Sequence, residues 1–316
     1  MTRFSCALVA GGAGFIGSHI VDKLIEQDLE VTVLDNLYTG LLGNIEHHRG
    51  KGKFRFVKGD VRSFDLVKTV VKDADAVFNE AAVVSVPRSI ENPILANEVN
   101  VGGTLNLLKA CLDSGVKRFI QASSASVYGN TETLPVHENM TSNPLSPYAV
   151  TELAAENYAK TFHLVYGLET VCLRYFNVYG PRQTCSTHSG ATTIFLNQLS
   201  RNQHPVIFGD GNQTRDFVYV EDVVEANMLA LETEKGVGEV FNIATGIPHT
   251  INELVRNLQS KLNKQHLKPI CRSPRQGDIR HSYACIEKAE RILGYEPKFS
   301  LETGMTNLVE WYSHAC

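Results

Sequence analysis

Two clusters of residues have the types and spacing to do chemistry. In the first, the apolar run Leu8-Val9-Ala10 passes directly into Gly11-Gly12-Ala13-Gly14-Phe15-Ile16-Gly17. Gly12, Gly14 and Gly17 satisfy G-x-G-x-x-G: a tight turn, a residue without Cβ where backbone N–H groups can approach a pyrophosphate, and a close helix-to-strand contact. A helix N-terminus at that point adds partial positive charge for the same anion. Asp35 follows Gly17 by 18 residues and closes a second apolar run, Glu30 to Leu34. A carboxylate there can accept both ribose hydroxyls of an adenosine and would repel a 2′-phosphate. No Arg or Lys occurs from Asn36 to Gly40, so NAD is favoured over NADP. The second cluster is Ser123-Ser124-Ala125-Ser126 after a strand-like run, with Tyr148 opening an alanine-rich helix. Strand C-termini are where a parallel α/β sheet binds ligands. The same residues would also serve as core and capping groups, and their types alone leave both readings open.

The elements that must position these residues follow from periodicity. Strand-like runs at 4–10, 30–34, 54–58, 76–79, 118–122 and 169–174 alternate with helical patterns, which predicts a doubly wound parallel sheet of Rossmann type. After Arg174 the rhythm breaks into a loop-rich stretch from Tyr179 to Ala191, a short helix near 194–201 and a glycine turn at 208–211. The pattern returns with a strand at 216–220, a helix at 223–231 and a strand at 240–243, and Thr250 reads as the N-cap of a helix from 251 to 262. We therefore expect an NAD-binding lobe from 1–174 plus 214–245, and a smaller mixed α/β substrate lobe from 175–213 plus 246–316.

Composition narrows the partners. The chain has 316 residues and a formal net charge of −4 with acids and bases interspersed, so there is no basic stripe for nucleic acid and no polybasic membrane patch. Seven cysteines are scattered without a C-x-x-C pair, which supports neither a disulfide framework nor a zinc site; no metal is expected, and a reducing cytoplasm fits. No apolar stretch approaches the roughly 20 residues of a membrane span, and no signal peptide is read at the start.

Together these residues resemble a known family, the extended short-chain dehydrogenases/reductases, and within it the NAD-dependent nucleotide-sugar epimerases. The resemblance runs through Gly11 to His19, Asp60-Val61, Ala81-Ala82, Asn100 to Thr104, Ser123 to Gly129, Tyr148, Arg174 to Asn177, Thr214 to Phe217 and Arg275 to Asp278. It implies that Tyr148 is the catalytic base and acid and that Ser124 hydrogen-bonds the sugar 4-oxygen. It implies NAD contacts from Gly11, Gly14, Phe15, Ile16, Asp35, Asn36, Gly40, Asp60, Val61, Ala81, Ala82, Asn100, Tyr148, Glu152 and Phe176. Substrate contacts are implied for Val86, Arg88, Ser124, Ser126, Asn177, Thr192, Phe208, Arg215, Arg275, Asp278 and Ser282, with Arg215 and Arg275 as diphosphate clamps because guanidinium forks match phosphate oxygens. The helices near 95–113 and 147–166 correspond to the family's four-helix dimer interface, so a homodimer is expected.

One departure is serious. The family pattern is Tyr-x-x-x-Lys, and here Glu152 replaces the lysine. A tyrosine titrates near ~10 unperturbed, and a cation within about 4–6 Å lowers that by roughly 1–3 units. Losing three units would cut the phenolate about a thousandfold, equivalent to about 4 kcal/mol. Lys160 lies three turns farther along and cannot substitute. Three accounts stay open: an inactivating substitution introduced into an otherwise intact enzyme, which is preferred; a natural residue of a slow or altered enzyme; and a site where the nicotinamide cation supplies the missing potential.

The segment holding Ser124 carries Ala125 and Ser126 where the family's dehydratases have Asp-Glu and its decarboxylases a glutamate, which leaves C4 epimerisation of a UDP-hexose. Val84 to Ile90 is similar to the loop of epimerases acting on N-acetylhexosamines or uronates. Ser282 stands where a bulky tyrosine narrows the pocket in glucose/galactose enzymes. UDP-GlcNAc/UDP-GalNAc is therefore the expected pair, with UDP-glucose/UDP-galactose or UDP-glucuronate as alternatives. A C4-oxidising dehydrogenase and a nucleotide-sugar binding protein that has lost its base are the competing readings. Cys285, usually aspartate in relatives, is a second departure.

Overall fold

The computed structural model describes residues 3–184, 190–274 and 279–315. The large sheet is built from β1 (Cys6–Ala10), β2 (Glu30–Asp35), β3 (Phe54–Lys58), β4 (Ala76–Asn79), β5 (Arg118–Ser124), β6 (Glu169–Tyr175) and a late strand, Val240–Ile243. Its order is β3-β2-β1-β4-β5-β6 followed by the late strand, and every neighbouring pair is parallel. Parallel strands need crossovers, and helices on both faces supply them. β1 shows why both faces must be covered: Ala7 and Val9 enter one apolar cluster, Leu8 and Ala10 the other.

The crossover helices are α1 (Phe15–Glu26), α2 (Phe64–Val71), the short α3 (Val86–Glu91) and α4 (Pro93–Asn97), α5 (Thr104–Ser114) and α6 (Pro147–Tyr166). Between α4 and α5 the chain makes a π-helical turn over Glu98–Gly103, where the sequence predicts one regular helix. Such turns often mark functional positions, and this one carries Asn100.

The second lobe is a smaller mixed sheet. After β7 (Asn177–Tyr179), α7 (Ala191–Ser200) and β8 (Val206–Phe208) comes β9 (Thr214–Tyr219), then α8 (Val220–Glu232) and the late strand of the large sheet, β10 (Val240–Ile243). The chain closes with β11 (Pro248–Thr250), α9 (Ile251–Lys261), β12 (Ile270–Arg272), β13 (His281–Ser282), α10 (Glu287–Leu293) and α11 (Leu301–Ala315). β9 is the hub: it pairs antiparallel with β11 and parallel with β7 and β13. This corrects the expectation that 214–219 belongs to the first lobe. The reason is polar: buried Asp216 accepts N–H bonds from Thr245 (2.8 Å), Gly246 (2.9 Å) and Ala284 (3.2 Å), which pins β9 among the small sheet's connections. Thr250 caps α9 as expected, in a reciprocal capping box with Glu253.

Candidate functional site

At the end of β1 the backbone turns at Gly11, with φ +77° and its N–H on the Leu34 carbonyl at 2.8 Å. A Cβ there would stand 2.7 Å from the backbone of Glu80, and one on Gly17 would stand 2.3 Å from the Gly11 carbonyl. The left-handed residue of the turn is Gly11, and Gly17 provides the close packing. α1 starts at Phe15 behind Gly14, which supplies no side-chain cap, so its first-turn N–H groups are left for an anion.

Asp35 accepts the N–H of Ala13 (3.0 Å) and Leu37 (2.8 Å). Burial pushes its carboxyl above the usual range while these two donors oppose the shift. Gly40 lies against it, since a Cβ would meet both carboxylate oxygens at 2.9 Å. Asn36 donates to Asp60 at 2.9 Å, and Arg62 holds Asp60 through two bonds of 2.9 Å, which keeps that carboxyl low, at about 2. Ala81 and Ala82 follow β4 beside Gly11. The cradle around Gly11, the uncapped helix and Asp35 fit a dinucleotide. Val61 is instead buried beneath the π-helical turn, against Gly103, and Phe176 packs into an apolar cluster with Val127, Tyr128 and Ala244.

At the end of β5, Ser124 accepts the N–H of Ser126 (3.1 Å), and the hydroxyl oxygen of Ser126 is buried without a partner. α6 opens with Ser146 as N-cap, Pro147 in its first turn and then Tyr148, whose N–H is held by Ser89 at 3.0 Å. The Tyr148 hydroxyl lies beside Ser124; burial first, and the Glu152 charge second, push it above its usual value, and Ser124 opposes the shift. The setting around Tyr148 is thus hostile to phenolate.

In the floor beneath this pair, Glu80 and Asn227 were missed by sequence reasoning. Glu152 is buried, and Asn100 reaches it at 3.5 Å while bonding Thr151 at 2.9 Å and taking the Val83 N–H at 2.7 Å. Glu80, at the end of β4, accepts from Tyr175 at 2.8 Å, and Asn227 donates to that tyrosine at 2.8 Å. Burial pushes Glu80 up to about 8, and burial with the charge of Glu80 does the same to Glu152. The one sequence signal was an acid directly after the apolar strand β4.

In the second lobe, Phe208 and Gln213 line a cleft of about 640 Å³ with Arg272 and Arg280; the two arginines were not foreseen. Ser282 pairs in register with Arg215, whose guanidinium donates to the Thr214 carbonyl at 2.8 Å. Asn177 donates to the Asp216 carbonyl at 3.2 Å, and Thr192 is buried on α7. Val86 is exposed on α3, and Arg88 lies 5.5 Å over the Tyr38 ring, on the side of the loop after β2. Arg275 and Asp278 lie outside the described residues. The described cysteines are free thiols. Asp22, His47 and His48 converge with ligand atoms within 4.8 Å, although Asp22 is already paired to Arg182 at 2.7 Å. Among the described residues no helix is long and apolar enough to cross a membrane.

Comparisons with known proteins agree with this geometry. The model of the NAD dependent epimerase/dehydratase family matches residues 7–244. A Methanocaldococcus jannaschii protein provisionally named a UDP-glucose 4-epimerase is 43% identical over 306 residues, covering 96% of this chain and 97% of the relative. The structure of a Thermotoga maritima UDP-glucose 4-epimerase with UDP-glucose superposes with a TM-score of 0.93 at 39% identity, over 98% of this chain and 99% of the other. A Methanobrevibacter ruminantium UDP-N-acetylglucosamine 4-epimerase in complex with UDP-N-acetylmuramic acid does so with a TM-score of 0.94 at 36% identity, over the whole of both chains. With the glycine cradle, the Asp35 site and the Ser124–Tyr148 pair in place, the chain belongs to the NAD-dependent epimerase/dehydratase family.

Proposed function

We propose that this chain epimerises C4 of a UDP-hexose, with UDP-GlcNAc and UDP-GalNAc as its pair. The observation that carries the reading is the placement of Tyr148, in the first turn of α6, beside Ser124 at the end of β5, on the side of the sheet where the glycine turn would hold NAD. Held by the Gly11 turn and Asp35, NAD would supply an acceptor for the C4 hydrogen with its electron pair and a donor for its return to the other face of the sugar. Tyr148 moves the 4-hydroxyl proton, and Ser124 donates to the 4-oxygen as charge develops there. The Ser126 hydroxyl, buried and unpartnered, is available to a sugar hydroxyl. Arg215 and Arg275 hold the diphosphate, and Asn177, Phe208, Thr192, Val86, Arg88 and Asp278 complete the pocket. The small Ser282 beside Arg215 leaves room for a 2-acetamido group, and the relatives' substrates, UDP-glucose and UDP-N-acetylglucosamine, are of this class. Residues 1–174 with 220–245 form the cofactor lobe. Apolar residues exposed on α6, including Leu164, Val165 and Tyr166, support a homodimer through the helices near 95–113 and 147–166.

The test is incubation with NAD and UDP-GlcNAc, following UDP-GalNAc by chromatography, for the chain and for its Glu152→Lys variant. Absence of the 4-epimer from both, with UDP-GlcNAc, UDP-glucose and UDP-glucuronate alike, overturns the reading. Ser282→Tyr sharpens the sugar: turnover of the N-acetylated pair should fall by about 10- to 100-fold relative to UDP-glucose, the size of a steric mismatch of one group. Equal loss for both sugars removes Ser282 from the pocket.

A further inference from the structure

We infer that Asp22, His47 and His48 form a binding site for a divalent cation of the zinc class, away from the sugar chemistry, and that the cation clamps the segment after β2 onto α1. No zinc site is expected from the cysteine pattern; this one uses imidazole and carboxylate, the other donors that such cations take.

The donors come from two elements. Asp22 stands about two turns into α1, and His47 and His48 are consecutive in a 3₁₀ turn, Glu46–His48, in the connection from β2 to β3. His47 Nε2 lies 3.1 Å from Asp22 Oδ1, and His48 Nε2 lies 2.6 Å from the same oxygen. One ligand atom from each residue falls within 4.8 Å of the other two, and no other such group of three is found among the described residues. In a tetrahedral zinc site with bonds of about 2.0–2.2 Å, neighbouring ligand atoms stand about 3.3 Å apart. Both contacts to Asp22 are already close to that spacing, so side-chain rotation can seat a cation. The His48 ring is buried between His47, with centroids 4.0 Å apart, and Phe54, at 5.7 Å. Its Nδ1 has no partner, so the carboxylate is the ring's polar contact. His47 is half-exposed, which supplies an entry path and leaves the fourth position to water. Asp22 keeps Oδ1 for the imidazoles because Arg182 occupies Oδ2 at 2.7 Å. That guanidinium fixes the direction of the carboxylate and, by its charge, makes the cation exchangeable.

The position gives the cation a mechanical role. The Leu41 N–H and the Asn44 side-chain amide both sit on the Ala13 carbonyl at 3.0 Å, which fastens the segment carrying the histidines to the glycine turn. On α1, His19 meets the Pro181 carbonyl at 3.1 Å, next to Arg182. Asp22 is thus the point where three pieces meet: the segment that follows Asp35, the helix that opens at the glycine turn, and the chain after β7. Without a cation, two imidazoles share one carboxylate oxygen. With one, metal–ligand bonds cross-link the segment to the helix, and the stability of the folded chain depends on the metal.

The experiment is calorimetric titration of the untagged full chain with zinc chloride, with His47→Gln and His48→Gln beside it. One zinc per chain should bind, and each substitution should weaken it at least about 100-fold, no less than the loss of an outer-shell partner costs. Zinc should raise the melting temperature of the parent and leave that of both variants where it was. His47→Gln, at a half-exposed position, tests the site even where His48→Gln fails to fold. Magnesium in about hundredfold excess should not displace the zinc, because it demands an oxygen shell. The inference falls if no saturable zinc binding is found up to about 1 mM, the weak end of the affinity scale, or if magnesium displaces the zinc. It falls equally if His47→Gln binds zinc as the parent does, which would put the metal elsewhere, the exposed Cys271 included. Binding with no rise in melting temperature overturns the clamp.

Discussion

Glu152 and Glu156 stand one turn apart on α6, 6% and 1% exposed, and they are chemically opposite. Glu156 sits in a bidentate pair with Arg174 and takes the Ser123 hydroxyl at 2.9 Å. Glu152 has the long Asn100 contact at 3.5 Å and an acid, Glu80, for a neighbour. Helix, depth and side chain are the same, so burial alone does not decide what a carboxyl becomes. Burial sets the cost of charge, and the partner determines whether the group stays ionised or keeps its proton. One glutamate of α6 thus builds the interior, while the other is left able to titrate next to Tyr148.

The strongest way to break this comparison is to remove the partner. Arg174→Met would strand Glu156 as an uncompensated buried charge and should cost about 3–5 kcal/mol in urea unfolding. Glu152→Gln should cost less than about 1 kcal/mol at pH 7, since that carboxyl already carries its proton there. Equal losses would mean that the two glutamates are equivalent after all.

Next in size is the effect of supplying Glu152's position with the cation it lacks. Glu152→Lys should raise turnover by two to three orders of magnitude, about 3–4 kcal/mol of barrier, and shift the pH–rate profile toward neutral as the ammonium favours phenolate. Tyr148→Phe should be inactive in both backgrounds while UDP-sugar affinity, measured by calorimetry, changes little. A parent that already turns over as fast as Glu152→Lys would show that position 152 does not control the base.

The same contrast explains what could be read from the sequence. The cofactor end is local: a strand, Gly11 to Gly17 and Asp35 are contiguous signals whose spacing carries the geometry, and strand order follows from alternation. Tyr148 and Glu152 were legible too, because i and i+4 share a helix face. What surrounds them was not. Glu80 and Tyr175 are 95 residues apart and meet only because β4 and β6 flank β5; the π-helical turn that aims Asn100 has no period to detect. β9 was assigned to the wrong lobe for a similar reason, since buried Asp216 anchors it through three distant backbone groups that hydropathy cannot reveal.

The smallest effect per unit change is in stability against pH, and its sign follows from the folded state holding a proton that the unfolded state releases. An unfolded glutamate titrates near ~4.3, whereas Glu152 in the folded chain is pushed up to about 8 by burial and Glu80. Between those values the folded state binds more protons, so stability falls as pH rises, by at most about 1.4 kcal/mol per pH unit for one fully held proton. The contribution is complete below about 4.3 and gone above about 8. Melting curves of the chain without NAD should therefore drop steadily from pH 5 to 8, and Glu152→Gln or Glu80→Gln should flatten that drop. A slope unchanged in both variants would place the excess proton elsewhere and dissolve the distinction between the two glutamates of α6.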